Sequence, residues 1–153
     1  MRLQKSTLFA LYAALELAAD PARQMSTADI AARYGISAHH LAKVMRQLVR
    51  AGLIQSVRGV GGGYRFSGNV KRVTLWDIIE IFEPGAQTSA SDDGEPRHAT
   101  PVSRALDRVR AEIDDLTRAT MQSITLKSLL KFAPAERRAR LSETLAGREV
   151  LRD

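Results

Sequence analysis

The sequence contains no cysteine among its 153 residues. Disulfides, thiolate metal sites and thiol redox switches within this chain are therefore excluded. The sequence also has no apolar run that approaches the roughly 18 residues of a membrane span, and no N-terminal stretch with the form of a cleaved secretion signal. We therefore expect a cytoplasmic protein without membrane contacts.

Positive charge is divided unevenly along the chain. Residues 1–76 carry 11 lysines and arginines against 3 acidic residues, whereas residues 77–153 carry 12 against 14. Neutralising phosphates releases condensed counterions and supplies affinity for nucleic acids. Basic proteins without such partners are common, so this distribution favours a nucleic-acid-binding first half without requiring one.

A helix-turn-helix is predicted in that basic half. Ser26 or Thr27 can cap a short helix, Gly35 supplies a left-handed turn residue, and Ser37 can cap the helix that follows. Four apolar side chains of this second helix fall at helical spacing and must face the core: Leu41, Val44, Met45 and Leu48. Its opposite face is polar and basic: His39, His40, Lys43, Arg46, Gln47 and Arg50.

The first turn of such a second helix usually meets base edges, while later basic residues meet phosphates. His39, His40 and Lys43 are therefore the candidate base-reading residues. For a basic helix considered alone, an ordinary solvated face is the simpler alternative.

A glycine-rich hairpin follows the second helix. Residues 53–57 and 64–66 alternate as short strands around R-G-V-G-G-G, and Arg58 lies at the base of this tip. These features predict a wing suited to the minor groove or the phosphates. A nucleotide site is excluded because the G-x-G-x-x-G spacing is not met and no helix follows. A tight turn without a ligand is the alternative.

The remaining patterns divide the chain into further parts. Helices are expected over residues 6–19 and 75–82, the second capped by Thr74 and Asp77. We assign residues 1–83 to one winged domain, 84–101 to a polar loop, 102–132 to a long helix with a final short helix, and 133–153 to a charged tail. The three scattered histidines of the chain predict no metal site.

The long helix carries one narrow apolar stripe. Its residues are spaced four, three, four and three apart: Val102, Leu106, Val109, Ile113 and Leu116. Such spacing is typical of a seam for a partner helix. The stripe lasts about two heptads, which is short for an independent coiled coil, so we expect this helix to pair while it also packs on the winged domain. Packing within the same chain is the alternative.

Several motifs resemble the Rrf2 family of bacterial winged-helix transcription regulators. They are M-R-L-Q-K-S, Y-G-I-S-x-x-x-L, R-Q-L-x-x-A-G-L-I-x-S-V-R-G-x-x-G-G-Y, T-L-x-D-I-I-E-I-F-E-P and I-T-L-K-S-L-L. The resemblance covers residues 1–132. It implies a mainly α fold with a small β-wing, in which a winged helix-turn-helix domain precedes a long C-terminal dimerisation helix.

The resemblance also implies a homodimer that binds double-stranded DNA, with recognition helices in successive major grooves and wings in adjoining minor grooves. We expect a repressor that binds an imperfect palindrome. The DNA contacts carried over by position are Arg2, Gln4, Lys5, Ser37, His39, His40, Lys43, Arg58, Gly59 and Gly61.

The loop before the dimerisation helix departs from the family pattern. Members that bind a cluster place three cysteines there, but this chain reads T-S-A-S-D-D-G-E-P-R-H-A-T-P-V-S-R. Thiolates hold iron–sulfur clusters, so we expect no cluster and no cofactor. Either the chain is a natural cysteine-free member that senses a partner protein or a small ligand, or its cysteines were replaced by design. The many other differences in the loop favour the natural member.

Two other functions compete with the regulator. An enzyme would need a nucleophile with its base, or paired carboxylates, and the helices bring no such set together. A winged-helix protein-interaction module without direct DNA binding is the stronger alternative. Affinity for duplex DNA that falls steeply with salt would distinguish a direct regulator from that module.

Overall fold

The computed structural model describes residues 3–85 and 100–132. These residues form six helices and one two-stranded antiparallel sheet. The expected contact residue Arg2 and the tail over 133–153 lie outside the described residues, as does most of the loop over 84–101. The elements are α1 (Lys5–Ala19), α2 (Thr27–Tyr34), α3 (Ala38–Arg50), β1 (Ile54–Val57), β2 (Gly63–Phe66), α4 (Leu75–Phe82), α5 (Pro101–Ser123) and α6 (Leu126–Phe132). The predicted fold class, mainly α with a small β-wing, is confirmed.

The core lies where α1 packs against α3, α4 and α6. Three alanines of α1 have no exposed surface, and their small side chains let neighbouring helices approach closely: Ala10, Ala13 and Ala14. The predicted apolar stripe of α3 is buried against this surface, with Leu41, Met45 and Leu48 all 0% exposed. Hydrophobic burial therefore fixes which face of α3 remains in solvent.

Local capping defines where α2 and α4 begin. Ser26 and Asp29 exchange side-chain and backbone hydrogen bonds at the start of α2, and Thr74 and Asp77 do the same at the start of α4. The hydrogen bonds from Ser26, together with the nearby charge of Arg23, lower the pKa of the Asp29 carboxyl. Both helices thus start where capping boxes supply partners for backbone N–H groups.

The wing is paired with a segment that precedes the helix-turn-helix. Strands β1 and β2 pair from Ile54 with Phe66 to Val57 with Gly63. Met25 then pairs with Tyr64 on the other edge of β2: Met25 N–H donates to the Tyr64 carbonyl (3.0 Å), and Tyr64 N–H donates to the Met25 carbonyl (2.9 Å). The hairpin is therefore attached to the chain immediately before the Ser26 cap.

The two C-terminal helices differ in how they meet the core. None of the 23 residues of α5 is buried, although the Arg118 guanidinium lies 5.3 Å from the centre of the Trp76 ring on α4. Leu126 of α6 is 0% exposed, and its N–H donates to the Val73 carbonyl at 2.9 Å. Within the described residues, no helix has the length and apolar content needed to cross a bilayer.

Candidate nucleic-acid interface

The solvent face of α3 is polar and basic. Every residue assigned to this face from the sequence is exposed, from His39 in the first turn to Arg50 in the last. The helix contains no acidic residue, so nothing on it offsets the charges of Lys43, Arg46 and Arg50. A helix presented in this way can enter a major groove with both base-facing and phosphate-facing side chains.

The first turn of α3 is held at two points. The Ser37 side chain accepts a hydrogen bond from the His40 N–H at 3.5 Å, as the predicted cap requires. The imidazole of His40 also lies edge-on to the Phe9 ring of α1, with the ring centres 6.4 Å apart. His40 is therefore oriented by α1, although both it and His39 are exposed.

The wing presents a narrow, exposed tip. Arg58 lies immediately after β1 and is exposed, and Gly59 and Gly61 follow with φ values of 110° and 74°. Val60 lies between these glycines with its side chain fully in solvent. An apolar side chain at such a tip can contact the sugars and base edges of a minor groove.

The wing approaches the helix-turn-helix too closely for a larger residue at Gly63. A Cβ atom there would lie 2.5 Å from the Met25 carbonyl oxygen, which belongs to the backbone and cannot move aside. The absence of a side chain at Gly63 therefore permits the paired hydrogen bonds between Met25 and Tyr64. The wing and the start of α2 consequently share one backbone network.

A buried carboxylate joins α1 to the end of α2. Glu16 is 7% exposed, forms an ion pair with Arg33 and accepts a hydrogen bond from the Tyr34 hydroxyl at 2.6 Å. The Tyr34 ring also stacks on Tyr12, with ring centres 4.7 Å apart. Since buried charges are costly without partners, these contacts orient α2, and with it the turn that leads to α3.

The start of α1 is held from outside its own sequence. Gln4 and Lys5 are exposed there, and the Gln4 side chain makes no capping bond. The Glu83 carboxylate, from the residue after α4, accepts from the Gln4 N–H at 2.8 Å and from the Thr7 hydroxyl at 2.5 Å. Glu83 was not predicted from the sequence, although the lack of a capping residue at Gln4 indicates that a partner can come from elsewhere.

The apolar stripe of α5 is uncovered in the single chain. Its five residues are between 54% and 69% exposed. They are Val102, Leu106, Val109, Ile113 and Leu116. The described residues of the same chain therefore leave this seam exposed.

The sequence model of the Rrf2 family, described as an iron-dependent transcriptional regulator, matches residues 3–131. Iron bound as a thiolate-ligated cluster does not fit this chain, because the sequence holds no cysteine. No group of three or more histidine, aspartate or glutamate side chains in residues 3–85 and 100–132 could hold a metal ion.

Individual relatives agree with that match. A protein named as a putative HTH-type transcriptional regulator, BadM of Rhodopseudomonas palustris, is 57% identical over 141 residues, which are 90% of this chain and 86% of that protein. The structure resembles CymR, the global cysteine regulator of B. subtilis, with a TM-score of 0.71 and 26% identity, covering 86% of this chain and 98% of CymR.

It also resembles T. potens IscR, with a TM-score of 0.64 and 25% identity, covering 87% of this chain and 88% of that one. The family match and the similarity to BadM indicate a transcriptional regulator and not an enzyme, as the sequence predicted. The chain belongs to the Rrf2 family of winged-helix transcriptional regulators.

Proposed function

We propose that two copies of this chain bind an imperfect palindrome in duplex DNA and repress transcription there. The observation that carries the proposal is the exposed cationic face of α3 beside a wing that is hydrogen-bonded to the segment preceding the helix-turn-helix. These two elements offer a major-groove reader and a neighbouring minor-groove contact in one body.

In this proposal, residues at the first turn of α3 contact the bases. Ser37, His39, His40 and Lys43 are all exposed, and the first turn is where this motif meets base edges. Arg46 and Arg50 lie further along the helix and would contact phosphates. Sequence preference then comes from the first turn, and much of the affinity comes from the later arginines.

The wing adds a second contact. The guanidinium of Arg58 would enter the minor groove or bind its phosphates, and the glycine backbone at 59 and 61 would let the hairpin approach the DNA closely. At the start of α1, Gln4 and Lys5 would contact the sugar-phosphate backbone of the DNA, together with Arg2. These contacts fix the register of the protein on the duplex.

Dimerisation through α5 completes the proposal. A stripe of five apolar side chains that are more than half exposed favours burial against a second copy of the same helix. A two-fold dimer would place two recognition helices on half-sites about one helical turn, or about 34 to 36 Å, apart. The palindrome follows from this symmetry.

We propose repression because occupancy of DNA alone is sufficient for it, whereas activation also needs a surface that recruits polymerase. The signal would reach the protein through a partner protein or a small ligand, since the chain has no thiolate for a cluster. The protein would act in the cytoplasm, where bacterial DNA lies.

Selective enrichment of random duplex DNA by the purified protein tests the proposal. We expect a palindromic consensus. The logarithm of the association constant for that consensus should fall linearly with the logarithm of the salt concentration. A scrambled duplex of equal length is the control for non-specific affinity. No enrichment at any salt concentration would refute direct DNA binding and favour a winged-helix module that serves protein partners.

A further inference from the structure

The first turn of α1 has no capping residue of its own. Gln4 occupies the N-cap position without a side-chain hydrogen bond, and the first turn contains no acidic residue. An uncapped helix start leaves backbone N–H groups without partners and a partial positive charge without an anion. In α1, a partner for one of these N–H groups comes from another part of the molecule.

Glu83 supplies both missing elements from 79 residues away. One carboxylate oxygen accepts from the Gln4 N–H at 2.8 Å and from the Thr7 hydroxyl at 2.5 Å. Thr7 is 0% exposed, so its hydroxyl depends on a protein partner. The negative charge also lies at the end of the helix where the macrodipole favours an anion. Glu83 thus acts as the cap of α1 although it follows α4 in the chain.

The position of this cap matters because of what surrounds it. The Gln4 and Lys5 side chains, which the proposed function places against DNA, project from the turn that Glu83 holds. One turn further on, Phe9 contacts the His40 ring of α3. A shift confined to the first turn would therefore displace Gln4 and Lys5, whereas the contact between Phe9 and His40 holds the following turn in place.

We propose that Glu83 is a positioning residue for DNA binding: it fixes the first turn of α1 so that Gln4 and Lys5 reach the duplex in one geometry. This inference rests on the proposed function. Glu83 does not itself touch DNA in this account, because its bound oxygen faces the N–H of Gln4 and the buried Thr7 hydroxyl. The hydrogen bonds of Glu83 also join the end of α4, where the polar loop begins, to the start of α1.

Three substitutions separate positioning from a general effect of charge. Glu83→Ala removes the acceptor and the charge, whereas Glu83→Gln removes the charge but keeps an oxygen that accepts from the same two donors. Glu80→Ala is the matched control, since it removes an exposed carboxylate from α4 itself. We expect operator affinity to fall about tenfold for Glu83→Ala, and to change by less than about threefold for Glu83→Gln and Glu80→Ala.

A double-mutant cycle distinguishes positioning of Gln4 and Lys5 from a general effect of Glu83→Ala on the fold. Gln4→Ala with Lys5→Ala removes the side chains that face DNA but leaves the Gln4 N–H, and hence its bond to Glu83. In that background, Glu83→Ala should change operator affinity by less than about twofold, because its effect passes through the two deleted side chains. An undiminished tenfold loss there, or no loss in the original background, would overturn the inference.

Hydrogen exchange tests the cap without DNA, so its failure can be distinguished from failure of the proposed function. The Gln4 amide, whose N–H donates to Glu83, and the Leu8 amide, whose N–H donates to the Gln4 carbonyl, should exchange faster in Glu83→Ala than in Glu80→Ala. Unchanged exchange at both amides would overturn the inference even if the protein binds DNA. Should Glu83→Ala fail to fold, Thr7→Val removes one of the two donors with little change in volume. It should give a smaller loss of affinity, about threefold, that also disappears in the Gln4→Ala, Lys5→Ala background.

Discussion

Helices α3 and α5 both carry an apolar stripe and a charged face, but the fold treats them in opposite ways. The stripe of α3 lies within the core, with its four apolar residues between 0% and 4% exposed, so the charged face is what α3 offers to a partner. The stripe of α5 is more than half exposed, and no residue of this helix is buried. An amphipathic pattern thus identifies the apolar face, while tertiary packing decides whether that face is buried in the core or left exposed.

The largest expected effect distinguishes the two stripes by their contribution to folding. Leu48→Ala in α3 should lower the free energy of unfolding by about 2 to 5 kcal/mol at every protein concentration, because it opens a cavity in the core. Leu106→Ala in α5 should lower it only at concentrations where dimers form. Urea unfolding at two protein concentrations measures both. Equal, concentration-independent losses would show that α5 is packed within its own chain.

The second prediction concerns the dimer. Ile113→Asp places a charge in the proposed seam and should raise the dimer dissociation constant at least about a hundredfold, since that charge would be buried without a partner. Ala111→Asp is the matched control, because it introduces the same residue at an exposed site about 200° around the helix. Sedimentation equilibrium measures both dissociation constants. Similar values for the two variants would remove the stripe from the interface.

A third prediction compares charged faces instead of apolar ones. Arg58→Ala in the wing should weaken operator binding about ten- to thirtyfold and leave the dimer intact, because charge-assisted contacts to DNA are lost. Arg108→Ala removes the same charge from the exposed side of α5 and should change affinity less than about twofold. Titration of labelled operator at fixed salt measures this difference. Matching losses would indicate general electrostatic attraction and not a specific wing contact.

The smallest effect belongs to the cap of α2, the helix that leads into α3. Hydrogen bonds from Ser26 and the charge of Arg23 lower the pKa of Asp29 below its ordinary value of 3.8. A carboxyl with a lowered pKa in the folded protein stabilises the fold above its unfolded pKa, and this contribution is lost as pH falls through the folded pKa. Asp29→Asn should therefore destabilise the protein slightly at pH 7, and the difference from wild type should vanish in acid below the folded pKa of Asp29.

Urea unfolding across this pH range, with Glu80→Gln as the exposed control, measures the Asp29 contribution. A difference between Asp29→Asn and wild type that is independent of pH would contradict the role assigned to the carboxylate.

Most helices could be predicted from the sequence because their signals are local. The expected bounds of α4 match the structure, and α1 begins at Lys5, one residue before the expected start. Capping boxes, apolar periodicity and the Gly35 turn act over a few residues, so a single sequence displays them directly. The polar face of α3 could likewise be read from its spacing.

The links between elements could not be predicted in this way. Glu16 reaches Arg33 and Tyr34, Met25 pairs with Tyr64, and Glu83 caps α1, all across long separations in sequence. Such partners are chosen by the packing of whole helices, and residue type alone does not reveal them. The groups that could face DNA were therefore predictable from the sequence, whereas the contacts that orient those groups were not.

The paired backbone bonds between Met25 and Tyr64 restrict how far the wing can move relative to the helix-turn-helix. If the distance between the wing and the helix-turn-helix is fixed, a bound duplex must deform to match that distance. The elastic cost of twisting or compressing DNA to that distance depends on the base steps between the contacts. The pairing of two short segments can therefore make DNA affinity depend on the stiffness of base steps that no side chain contacts.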